Sequence, residues 1–145
     1  MTQTRSRGFT LVEMMIVLIV LGTVLAFSVP AFHSFAATNN LHGAAGDIAS
    51  QLRMAREKAI ATATTQTFHA NYGYLNSDYH IHNGTIVDPK WSLPDGINYY
   101  YGFGWNNQYR FTRDGQCMDS GYIMLQDLKG HIDTVSVQLS GMIRH

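Results

Sequence analysis

The chain has 145 residues, enough for one modest domain, and its ten Lys plus Arg balance ten Asp plus Glu. That balance advertises neither a nucleic-acid-coating basic surface nor an acidic tail. With Cys117 the only cysteine, no intramolecular disulfide can form; an exported domain must be held by burial, and Cys117 reads as a small buried hydrophobe.

Residues 1–8 are polar, with Arg5 and Arg7 and no acid, whereas 9–29 are apolar apart from Thr10, Glu13, Gly22, Thr23 and Ser28. As a helix this stretch spans roughly 31 Å, the hydrocarbon thickness of a bilayer, and it exceeds the ~7–15 residues of a secretory apolar region. Arginines ahead of it hold that end in the cytoplasm and send the rest of the chain outward, which predicts a single pass, N-terminus in. Glu13 is what a plain anchor does not explain, because an unpaired carboxylate at membrane depth costs at least ~2.5 kcal/mol. No Lys, Arg or His lies between 9 and 31. Its partner is therefore a proton, an amine created by chain cleavage, or another molecule.

Pro30 ends the purely apolar stretch and predicts a kink or short break. Beyond it Leu41, Ala45, Ile48, Leu52, Ala55, Ala59 and Ile60 recur at spacings of three and four, while Asp47, Arg53, Arg56, Glu57 and Lys58 fall largely on other faces. This is an amphipathic helix, which Asn39, Asn40 and Gly43 are able to interrupt. From Thr64 on the pattern turns strand-like, at 67–72, 79–82, 97–101, 109–111, 122–125 and 135–139. Asn83-Gly84, Asp95-Gly96, Asp114-Gly115 and Lys129-Gly130 mark turns between them. A long helix whose apolar second half needs cover, followed by an antiparallel sheet with short connections, predicts an α+β fold.

Arg5-Ser6-Arg7-Gly8-Phe9-Thr10-Leu11-Val12-Glu13 resembles the class III signal peptide of type IV prepilins, Gly-Phe-Thr-Leu-x-Glu ahead of a long apolar helix. The resemblance implies cleavage after Gly8 by prepilin peptidase and methylation of the new Phe9 amine. It also implies that Glu13 pairs with the Phe9 amine of a neighbouring subunit when the helices bundle in a filament core. An ordinary signal peptide and an ordinary single-span anchor are the competing readings, and neither accounts for an acid at this offset. The layout implied is a leader at 1–8, a transmembrane and filament-core helix at 9–29, an amphipathic helix at 30–62 and a sheet domain at 63–145, in a type IV pilin-like fold.

The body is similar to the GspH/FimT family, the pseudopilin H of type II secretion and its type IV pilus relatives. The likeness rests on Leu52-Arg53-Met54-Ala55-Arg56-Glu57-Lys58-Ala59-Ile60, on the stretches 109–115, 121–125 and 135–137, and on Gly141-Met142-Ile143-Arg144, with 71–101 the least alike. It implies a non-enzymatic minor pilin or pseudopilin, first in the inner membrane with its sheet domain outside, then in a filament. The partners implied are other pilins, prepilin peptidase, an inner-membrane assembly platform and lipid. A lone cysteine is unlike the many major pilins that close a C-terminal loop with a disulfide.

Some FimT-type pilins are associated with DNA uptake through arginines of a C-terminal Gly-Arg-x-Arg motif, of which this chain keeps only Arg144. Eight basic residues against nine acidic ones after residue 30 give a net charge of −1, a poor footprint for phosphate. Arg144 would need help from Lys129, Arg110 and Arg113, and from stacking on Tyr99, Tyr100 or Tyr101. Otherwise Arg144 is a solvated charge and the tyrosines pack the sheet. His80 and His82 alternate on a strand and share a face, which would suit a metal if Asp78, His69 or His131 approached. Surface histidines are the simpler account, so no metal or cofactor is expected, and no nucleophile motif accompanies Cys117.

Overall fold

Leu11–Thr62 forms one helix, α1, in the computed structural model, which describes residues 9–71, 77–84 and 87–145. The chain divides into two compact units, Met1–Ala36 and Ala37–His145. The helix runs through Pro30, Asn39, Asn40 and Gly43 without the break that their chemistry suggested. A proline forfeits one helical hydrogen bond at a cost of about 3 kcal/mol, and a helix of this length retains many others on either side.

In the first unit the side chains of 11–28 are all exposed. Its hydroxyls are turned back onto the helix. Thr23 Oγ1 donates to the Val20 carbonyl and Ser28 Oγ to the Val24 carbonyl, each at 2.8 Å. Those bonds remove the two hydroxyl protons from the outer surface and leave Leu, Ile, Val, Met and Phe to define it.

In the second unit Leu41, Ala44, Ala45, Ile48, Ala49, Leu52, Ala55 and Ala59 are buried along one stripe of α1. Ile60 is 49% exposed, contrary to its place in the sequence pattern. One residue beyond Ala59 is a rotation of about 100° around the helix, which turns Ile60 out of the stripe.

Among the described residues eight strands follow α1: β1 (Gln66–Ala70), β2 (Tyr79–His82), β3 (Val87–Trp91), β4 (Asn98–Tyr99), β5 (Gln108–Phe111), β6 (Gly121–Gln126), β7 (Ile132–Val137) and β8 (Ile143–Arg144). They form not one antiparallel sheet but two, each four-stranded, ordered β3-β2-β1-β5 and β4-β6-β7-β8. Strand β3 escapes the period-2 reading because it contains Asp88 and Pro89; a proline is tolerated there because β3 is an edge strand. The four turn glycines named above, Gly84, Gly96, Gly115 and Gly130, all take positive φ.

Alternation sorts the strands' side chains. Phe68, Ala70, Tyr79, Ile81, Tyr109 and Phe111 of the first sheet, and Ile123, Leu125, Val135 and Val137 of the second, share one core with the α1 stripe. Cys117 joins that core as a free, buried thiol, and burial raises its pKa.

Three distant segments meet at one edge of this core. Arg56 of α1 donates through Nε to the Gly115 carbonyl at 2.8 Å. Gly141, at φ 77°, lies so close that a Cβ there would stand 2.0 Å from the Gly115 oxygen and 3.0 Å from Arg56 Nε. The glycine of the closing Gly141-Met142-Ile143-Arg144 segment is thus required by packing.

Candidate functional site

The first turn of α1 is closed by its own side chains. Thr10 precedes the helix, and its Oγ1 accepts the Glu13 N–H at 3.2 Å; the Thr10 N–H points back to Glu13 Oε2 at 3.5 Å. This is a capping box, Thr-x-x-Glu, and it gives Glu13 a local role besides its need for a counter-ion, at a spacing written in the sequence. The carboxylate also faces the positive end of the helix dipole, worth about 0.3–1 kcal/mol. Its return bond is long, so the carboxylate keeps most of its acceptor capacity for another donor.

From this cap to Ser28 the helix presents a predominantly apolar exposed surface. Leu11–Ser28 is long and apolar enough to cross a membrane, and none of it is buried. Phe9, the residue just before the cap, is also exposed, while Gly8 lies outside the described residues.

The prokaryotic N-terminal methylation motif matches residues 3–29. No curated protein and no solved structure matches the chain. The motif is that of type IV pilin-like proteins, a structural and non-enzymatic kind of protein, and an α+β layout with an apolar N-terminal helix agrees with it. This prepilin-type segment takes in Gly8, Phe9 and Glu13 and includes all of Leu11–Ser28.

Of the basic residues that a nucleic-acid role would use, two are paired with acids and two line different cavities. Arg110 gives two bonds to Asp119, from Nε at 2.8 Å and from the terminal guanidinium nitrogen at 2.9 Å, and that guanidinium holds the Asp119 carboxyl below its usual value. Arg113 stands 4.0 Å from Asp114. Arg144 lines a groove with Tyr122, Ser136 and Gln138, whereas Lys129 lines a different cavity beside Asp95 and Asp127. Tyr99 is occupied in packing, with its hydroxyl donating to the Asp78 carbonyl and its ring against Trp105. Tyr100 and Tyr101 are exposed, and Tyr101 also meets Trp105 edge-on.

The histidines depart most from expectation. His69 of β1 lies directly opposite His80 of β2, and His82 follows two residues on along the same face. Their rings form a triangle, with centroids 5.4 Å apart for His69 and His80, 4.8 Å for His69 and His82, and 5.6 Å for His80 and His82. His80 is only 2% exposed, so the reading as surface histidines fails for it. Of the three possible third ligands, His69 is the one brought in. Asp78 instead accepts the Leu93 N–H at 2.7 Å, and His131 bonds Asp127 at 2.7 Å.

Burial pushes the His80 pKa down to about 4, assisted by His69, His82 and Lys90. Burial lowers His69 as well, with His82 adding to the effect and a bond to Gln108 opposing it, and burial lowers His82. Three uncharged imidazoles are thereby gathered on one face of a paired ladder. The Gly84 N–H donates to His82 Nδ1 at 3.1 Å.

A second cluster has a different character. Asp133 Oδ2 is 2.5 Å from His42 Nδ1 and 3.1 Å from His145 Nε2, which ties α1, β7 and the residue after β8 together by hydrogen bonds.

Proposed function

We propose that this chain is a minor pilin or pseudopilin of the GspH/FimT type, a structural subunit of a type II secretion pseudopilus or a type IV pilus. One observation carries the pilin part of the reading: the exposed apolar surface of Leu11–Ser28 holds Glu13 in its first turn and lies within a methylation motif, while the GspH/FimT part rests on the likeness of the body segments. Such a surface needs cover, and lipid before assembly and like helices afterwards both supply it. In the inner membrane residues 9–29 hold the chain with its leader in the cytoplasm and its sheet domain outside. Prepilin peptidase removes 1–8, the Phe9 amine is methylated, and the assembly platform moves the subunit into the filament.

In that filament Glu13 meets the Phe9 amine of a neighbour. The carboxylate already sits at a helix start, so a neighbouring ammonium adds a charge-assisted bond without undoing the cap. The match of unlike charges sets the axial stagger, while the apolar contacts supply the bulk of the attraction. A nucleic-acid role in natural transformation is the weaker reading, resting on the exposed Arg144 beside Tyr122.

The test is mass spectrometry of the mature protein together with Glu13→Ala. The expected product begins at Phe9 with one added methyl, and Glu13→Ala leaves that product intact but reduces its recovery in sheared filaments at least ~10-fold, about 1.4 kcal/mol of assembly. A mature chain that still begins with residues 1–8 refutes the processing; undiminished recovery of the variant refutes the role of Glu13.

A further inference from the structure

We propose that His69, His80 and His82 form a binding site for a divalent zinc-class metal ion, held by three imidazole nitrogens from two paired strands. One nitrogen from each ring lies within 4.8 Å of the others. Zinc–nitrogen bonds of about 2.0–2.1 Å at tetrahedral angles place nitrogens about 3.4 Å apart, so small side-chain rotations close the triangle. The backbone already does the harder part: antiparallel register sets His69 against His80 and carries His82 to the same face.

The donor set selects the class of ion. Three imidazoles without a carboxylate suit zinc and its late first-row neighbours and are poor for calcium or magnesium, which demand oxygen. A fourth position is left for water or for a group from another molecule, as in three-histidine zinc sites generally. Two features shape the affinity. Lys90 of β3 pairs with His80 and adds a positive charge nearby, and the Gly84 N–H competes for one lone pair of His82. An ion bound at His82 Nε2 requires the proton on Nδ1, so that bond opens or the ring turns over.

The cluster of His42, Asp133 and His145 is less suited. Its carboxylate oxygen is already shared by two hydrogen bonds, and its members are more exposed. The zinc site does not depend on the filament reading.

The experiment is calorimetric titration of the full-length, metal-free chain in detergent with zinc chloride near neutral pH. The expected result is one zinc per chain, with affinity falling at least tenfold in both His69→Gln and His82→Asn and unchanged in His145→Ala. His82 is part-exposed, so His82→Asn keeps its far-ultraviolet circular dichroism and separates lost ligation from lost folding. Failure of the parent chain to bind zinc, or binding by His82→Asn as tight as the parent's, would overturn the site. Loss of binding in His145→Ala would transfer it to the other cluster.

Discussion

Two stretches of α1 make the sharpest contrast in the molecule. Leu11–Ser28 is built from large side chains and buries none of them, whereas the stripe from Leu41 to Ala59 is largely alanine and buries all of its members. Hydrophobicity alone would not separate the two; size does. Small residues let two sheets approach the helix closely within one chain, while long branched ones form knobs suited to lipid or to other helices.

The contrast is tested most strongly by shortening one leucine on each side. Leu52→Ala, in the buried stripe, is expected to lower the stability of the folded chain by about 2–5 kcal/mol, measured by chemical denaturation in detergent. Leu18→Ala should shift it by no more than about 0.5 kcal/mol. Equal effects would mean that the exposed span is covered within the same chain. A smaller but still large effect belongs to Gly141→Ala, expected to cost about 2 kcal/mol or more. The new methyl meets the Gly115 oxygen, and φ of 77° is unfavourable for alanine. A variant as stable as the parent would show that this edge of the core has slack.

The mildest test concerns polar burial rather than apolar. His80 titrates near 4 when folded against 6.5 when free, so between those values the unfolded chain binds more protons. Stability of the metal-free protein should therefore rise with pH from about 4 to 6.5 and then level off. His69, His82 and Lys90 face the same group; His69 and His82, lowered as well, add to the rise, so His80→Gln should reduce it. A parent profile already flat across this window would contradict the burial of that ring.

Much of this arrangement was legible because it depends on local pattern. The apolar span, the helical period from Leu41 to Ala59 and the glycine turns are written at fixed spacings, and the structure follows them. What failed needed information from across the chain. The division of the strands into two sheets depends on which edges pair, and the edge strand with Pro89 has no period of its own. His69 could be placed beside His80 only through a register, since ten residues separate them in sequence while one ladder step does so in space. The Thr10–Glu13 cap is the opposite case, a local signal at a residue whose carboxylate also calls for a distant charge.

The meeting of Arg56, Gly115 and Gly141 also bears on the order in which the molecule folds. Its bond spans 59 positions, and the glycine that seals it belongs to the turn ahead of β8. Helix and hairpins form quickly from near neighbours, and the entropy of closing so long a loop makes this corner the expected late step, after both sheets have ordered. A latch that forms late governs departure more than arrival: loosening it hastens unfolding while leaving the rate of folding nearly untouched.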